Sequence, residues 1–146
     1  MIRHLSAIAE VVENIESSVA FYRDTLGLKV NHETGTGYAE VALSGVLHFG
    51  VWSREAAAAT ILGMPEKSEQ VPLGFFIGLE VDSVAEATQK AAEKNVHFLQ
   101  PTKKEEWGQV TSRLLSPSGG LIELTETPWA RKITQAMEVE PGQEGE

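Results

Sequence analysis

Ile8-Ala9-Glu10-Val11-Val12-Glu13-Asn14-Ile15 returns 69 residues later as Ile77-Gly78-Leu79-Glu80-Val81-Asp82-Ser83-Val84, with Ile8, Val12 and Ile15 matched by Ile77, Val81 and Val84. In each copy a β-rich run passes through a helix-capping residue, Asn14 or Ser83, into a segment of helical character. Short strand-like segments follow each helix. A module that occurs twice folds about a pseudo-twofold axis. The groove between the copies then carries equivalent positions from both halves.

Working outward from the first copy, residues 2–12 read as a strand. Asn14 caps a helix from about 15 to 26, on which Ile15, Val19, Tyr22 and Leu26 recur at helical spacing, and Gly27 suits the left-handed position after it. Residues 28–33 and 38–44 read as strands around the turn cluster Thr34-Gly35-Thr36-Gly37. A further strand, 46–52, alternates so that His48, Gly50 and Trp52 share one face while Leu47, Phe49 and Val51 take the other. Ser53 caps a short helix, 54–62, with Ala56 to Ala59 as helix filler, and 63–72 is a polar connecting loop.

The second copy opens with a strand from Phe75 to Val81, and Ser83 caps a helix through about Lys94. A strand at 96–99 is ended by Pro101. Residues 102–107 read as a charged loop, with Lys103, Lys104, Glu105 and Glu106 in solvent. Residues 108–115 form a strand, Ser116 to Gly120 a turn, and 121–125 the closing strand, after which Pro128 opens a short helix. The order is βαβββ twice. That is an α+β fold: two paired modules forming a cupped mixed sheet with helices on the outer face. The expected organisation is one domain over 1–136, with modules at about 2–62 and 74–127, and an acidic flexible tail at 137–146.

Composition narrows the function classes. The chain has no cysteine, which excludes disulfides, thiolate metal sites and Cys nucleophiles. A net charge of -9 argues against nonspecific nucleic-acid binding. No apolar run approaches the roughly 20 residues of a membrane span, and Met1-Ile2-Arg3-His4 lacks the apolar stretch of a secretory signal. A cytoplasmic location is expected. No P-loop, dinucleotide-binding or nucleophile-elbow motif is present.

Three motifs carry a family resemblance. Phe21-Tyr22-Arg23-Asp24-Thr25-Leu26-Gly27-Leu28, preceded by Glu13-Asn14-Ile15, resembles the first-helix signature of the vicinal oxygen chelate superfamily. That group includes glyoxalase I, bleomycin-resistance proteins, fosfomycin-resistance enzymes and extradiol dioxygenases. Phe76 to Val84 resembles its second-module opening, and Ser116-Pro117-Ser118-Gly119-Gly120-Leu121-Ile122-Glu123-Leu124 its closing turn and strand. The resemblance implies paired modules, a homodimer, and, in the enzymes, one divalent metal held by the first and last strands of each module.

Carried over position by position, the implied ligand set is poor. The first-strand position, 14 residues before Phe21, is Ala7, and its counterpart in the second module is Phe76. The last strands offer His48 and Glu123. Two candidate ligands fall short of the three or more protein groups that hold a catalytic ion. No metal or other cofactor is therefore expected. The leading expectation is a protein that binds a small organic molecule in an aromatic cup, as the bleomycin-resistance branch does.

Trp52, Phe76, Trp107, Arg113 and Tyr38 are the candidate ligand-binding residues. Trp107 suits stacking on a flat or cationic ligand. Arg113 suits pairing with Glu123 or clamping an anion, or else a surface salt bridge. Phe75 is a further apolar candidate, while His32 and His97 read as surface residues. A second reading stays open: a lyase, isomerase or dioxygenase working through Glu123 and His48 as a catalytic dyad, with or without an atypical divalent metal. A third is a non-catalytic module using the same cup for a peptide.

Overall fold

A computed structural model describes residues 1–130. The first module runs β1 (Ile2–Val12), α1 (Ile15–Ala20), β2 (Val30–Asn31), β3 (Tyr38–Val41) and β4 (His48–Ser53). Helix α2 (Arg54–Leu62) and a 3-10 segment (Pro65–Gln70) lead to the second: β5 (Gly74–Val81), α3 (Val84–Ala92), β6 (His97–Lys104), β7 (Val110–Leu115) and β8 (Leu121–Glu126). A 3-10 turn, Pro128–Ala130, closes the described chain. The expected tail at 137–146 lies outside the described residues.

The eight strands among the described residues form one sheet in the order β2-β3-β4-β1-β5-β8-β7-β6. The two modules meet edge to edge, β1 antiparallel to β5, while β4 and β8 flank them in parallel. One rung crosses the sheet through His48, Ala7, Gly78, Glu123, Arg113 and Gln100, each paired with the next. The two central positions of that rung carry a methyl group and a hydrogen. The middle of the face is therefore open, with polar side chains to either side.

Each module helix starts where the sequence supplies an acceptor. Asn14 accepts from the Ser17 amide at 3.0 Å, Ser53 from Ala56 at 3.1 Å and Ser83 from Glu86 at 3.2 Å. The first helix is regular only to Ala20 and then widens into a π turn, Phe21–Thr25, before Gly27 at φ 71°. Helix α1 and its π turn cover one outer face with Val19 and Tyr22 against Ala39, Val41 and Val51. Helix α3 does the same for the second module through Val84 against Val81 and Leu124.

Helix α2 lies on the other face. Ala57, Ala58 and Ile61 pack with Ala9, Val11, Phe76 and Leu121 on the inner side of the sheet. The Ala run read as filler thus closes the floor of the cup. Its side chains are small because helix and sheet approach closely there, and Ala57 and Ala58 are fully buried.

Two expectations about the second module are corrected. Pro101 does not end β6, which runs on to Lys104. β6 is an edge strand, and its pairing is irregular between Phe98 and Gln100 and again between Gln100 and Lys103, where a missing amide costs no ladder bond. Glu105 is not at a solvated tip. The Glu105 amide donates to the Gln109 carbonyl at 2.7 Å, a tight hairpin that turns its side chain back under the sheet, where it is 6% exposed.

Candidate functional site: an aromatic cleft over two charged networks

The inner face encloses a cleft of about 440 Å³. Tyr38 and Glu40 come from β3, His48 and Trp52 from β4, Phe76 from β5, Arg113 from β7 and Glu123 from β8. Trp107 joins from the β6–β7 hairpin and Trp129 from the last described turn. All seven residues singled out from the sequence therefore line one cleft, built within a single chain. Phe75 does not. It alternates with Phe76, points to the outer face and is 61% exposed.

Arg113 organises one wall. It is 2% exposed, not a surface partner. Its Nε and Nη2 meet Glu123 Oε2 at 3.0 and 2.9 Å, and its Nη1 donates to Glu105 Oε1 at 2.8 Å and to Gln100 Oε1 at 2.5 Å. Its guanidinium carbon lies 5.5 Å from the centre of the Trp52 ring. Thr111 also donates to Glu105 Oε1, and Gln100 donates to Thr111. With at most one of its five N–H groups left over, Arg113 holds the wall together and has little to offer an anion.

The opposite wall carries a second network. His48 does not pair with Glu123. Its Nδ1 donates to Glu40 Oε1 at 3.0 Å, and its Nε2 accepts from Trp129 Nε1 at 3.4 Å. Tyr38 donates its hydroxyl to the other Glu40 oxygen. The Glu40 hydrogen bond holds the His48 pKa above the usual imidazole range, against the opposing effect of burial. Burial pushes Glu40 up, but the hydrogen bonds from His48 and Tyr38 prevail and hold it below the usual carboxylate range. Burial and the Glu40 hydrogen bond raise the Tyr38 phenol beyond its ordinary value. Glu123 acts on His48 and Tyr38 only through space.

Glu40, Gln100, Glu105, Gln109 and Trp129 were not singled out from the sequence. Glu40 stands two residues after Tyr38 in one strand, so period-two alternation places both on the same face. Nothing local in the sequence brings Gln100 or Glu105 to Arg113. Gln109 donates to Thr125 and Thr127 and accepts from Trp107 Nε1 at 2.6 Å, which holds the Trp107 ring at the mouth. His32, read as a surface residue, is tied down. Its ring nitrogens meet the Tyr38 carbonyl at 3.0 Å and Glu16 at 3.1 Å, and the Glu16 bond raises its pKa.

Residues 5–128 match the family described as the glyoxalase-like domain, most of the 146-residue chain. The chain belongs to the glyoxalase-like domain family. No curated protein matches its sequence. Among solved structures similar to this glyoxalase-like domain is a glyoxalase/bleomycin resistance protein/dioxygenase superfamily member from Vibrio splendidus 12B01. It has 16% identity and a TM-score of 0.58, over 87% of this chain and 100% of that one. The methylmalonyl-CoA epimerase from Mycobacterium tuberculosis also has 16% identity and a TM-score of 0.58, over 90% and 93%. The Mn(II)-bound glyoxalase from Novosphingobium aromaticivorans has 16% identity and a TM-score of 0.56, over 84% of this chain and 37% of that one. Identities this low establish the shared fold.

Strand register tests whether this glyoxalase-like domain has the donors for a metal. The repeat offset makes Ala9 the counterpart of Gly78. Gly78 pairs with Glu123 and Ala9 with Gly50. The first-module equivalent of Glu123 is therefore Gly50, and His48 sits two residues away. At Gly50 even a Cβ would lie 2.5 Å from the Tyr38 hydroxyl, so the phenol fills the space of a ligating side chain. The ring of positions is Ala7, Gly50, Phe76 and Glu123, with one donor among four. Among the described residues no group of three or more His, Asp or Glu is placed to hold a metal ion. The donor set does not fit the divalent metal.

Proposed function

We propose that this protein binds a small organic molecule in its cleft and does so without a divalent metal. The observation that carries this reading is the lining. Tyr38, Trp52, Phe76, Trp107 and Trp129 surround a space large enough for a ligand of two or three fused rings, and three of the four metal-ligand positions, Ala7, Gly50 and Phe76, carry no donor. A preformed apolar cleft with a few placed polar groups is the usual form of a small-molecule site. Three of the five rings are tryptophans, so occupancy has a built-in reporter. Protein purified without chelator from metal-supplemented medium is expected to hold far less than one equivalent of Mn, Fe, Co, Ni or Zn. A screen of flat aromatic compounds is expected to yield ligands that quench tryptophan emission, and Trp107→Ala is expected to weaken them. Stoichiometric metal lost on Glu123→Ala would overturn the metal-free reading. A screen with no ligand would overturn the binding reading.

The Glu40–His48 pair favours a second reading. A carboxylate that orients Nδ1–H leaves Nε2 as the basic nitrogen, the arrangement of a general base. Its hydrogen-bonded partner is Glu40, in place of the Glu123 expected from the sequence. A proton transfer such as an isomerisation would use it. Under this reading His48→Asn abolishes turnover of a bound ligand while leaving its Kd nearly unchanged. Turnover unaffected by that substitution would remove the reading.

A further inference from the structure

We infer that the cleft selects a planar aromatic ligand bearing a protonated nitrogen, and that Glu123 Oε1 is the atom that receives it. This inference rests on the reading of the cleft as a small-molecule site. It follows from accounting for the carboxylate, amide and guanidinium groups that line the cleft. Both Glu40 oxygens are used, one by His48 and one by Tyr38. Gln109 is spent on Thr125, Thr127 and Trp107. Arg113 is spent on Glu123, Glu105 and Gln100.

Glu123 differs. Both of its bonds from Arg113 land on Oε2. Oε1 has no hydrogen-bond partner among the described residues, yet it is not sealed in, since the one such oxygen that is fully enclosed belongs to Glu80. The Glu123 residue is 8% exposed and lines the cleft. A carboxylate oxygen left unpartnered on a largely buried residue that lines a cavity takes its donor from what fills that cavity.

Charge and shape define the donor. The lining sets two carboxylates, Glu40 and Glu123, against Arg113; Glu40 is met by His48 and Tyr38, whereas Glu123 shares Arg113 with Glu105, which Lys103 also approaches at 3.7 Å. A cation at Glu123 Oε1 forms a charge-assisted bond about twice as strong as a neutral one. The surrounding aromatic faces attract the same charge. An anion would meet two carboxylates and, among the described residues, few free donors: the Trp52 indole N–H and at most one N–H of Arg113. The slot between Trp52, Phe76 and the two mouth tryptophans suits a flat ring system as the cation's carrier.

Three probes with one ring system separate charge from shape: 1-naphthylmethylammonium, 1-naphthalenemethanol and 1-naphthoate, titrated by calorimetry. The ammonium is expected to bind roughly ten- to a hundredfold more tightly than the alcohol, the span of a hydrogen bond to a charged group. The naphthoate is expected to give no measurable heat. Glu123→Gln is expected to bring ammonium and alcohol to within about threefold of each other. Trp107→Ala should weaken both in parallel. If Glu123→Gln fails to fold, Glu123→Asp, which keeps the charge for Arg113 but withdraws the oxygen, should narrow the same ratio. Equal binding of ammonium and alcohol, or tighter naphthoate, overturns the inference and leaves the binding reading intact. No binding by any of the three, together with an empty aromatic screen, overturns both.

Discussion

Arg113 is the residue whose environment differs most from its sequence context. Thr111, Ser112 and Leu114 around it give no hint that a guanidinium here is buried against two carboxylates. The cost of desolvating all three charges is met only because nearly every donor and acceptor is matched. Arg113→Met leaves Glu123 buried without a counter-charge and Glu105 with Lys103 alone, 3.7 Å away. It is expected to cost about 3–5 kcal/mol in urea denaturation, and Arg113→Lys is not expected to restore it, because a single ammonium cannot span the same partners. Glu80 makes a complementary prediction. Its Oε2 accepts from the Thr127 amide at 2.7 Å, Oε1 has no partner among the described residues, and burial raises its pKa. A carboxyl raised in the folded state contributes stability in full below its unfolded pKa and loses it as pH rises through the folded value. The melting temperature of Glu80→Gln should therefore gain on the parent between pH 4 and pH 7, and a constant difference across that range would refute the assignment. Glu123 was legible as a site residue because its motif is contiguous. The role of Arg113 was not, because its partners are 8 to 13 residues away and arrive through a hairpin.

At the scale of elements, caps and alternation were readable and bulges were not. Asn14, Ser53 and Ser83 each cap the helix expected of them, because an Ncap needs only one acceptor three residues before an amide. The strand over His48, Gly50 and Trp52 presents the expected face for an equally local reason. β6 was shortened because Pro101 reads as a strand terminator. An irregular edge strand tolerates it, and whether a strand lies at an edge is decided by the rest of the sheet. Helix α2 shows the same limit. Its Ala run matches a solvent helix as well as a close-packed floor. Because Ala58 is fully buried beneath the sheet, Ala58→Leu is expected to cost about 1–3 kcal/mol from overpacking and to alter ligand affinity. The same change at Ala59, which is exposed, should do neither.

At the scale of the whole molecule, the seam between β1 and β5 makes one continuous sheet from two copies, and residues of both copies line one cleft. One ligand per chain is therefore expected, with an affinity that does not change as the protein is diluted through any association of chains. Equilibrium dialysis across a dilution series would measure this, and an affinity that falls on dilution would point to a site completed by a second copy. The sequence by itself determined the duplication, the βαβββ order, the family and the apolar character of Ala7 and Phe76, since each is a property of contiguous residues or of a constant offset between them. Only the tertiary structure decided that His48 pairs with Glu40 instead of Glu123, that Gly50 is the true counterpart of Glu123, and that Arg113 is consumed by its neighbours. Those outcomes depend on strand register. A shift of two residues keeps every side chain on its face while changing which partner it meets, and hydrophobic alternation cannot distinguish the two.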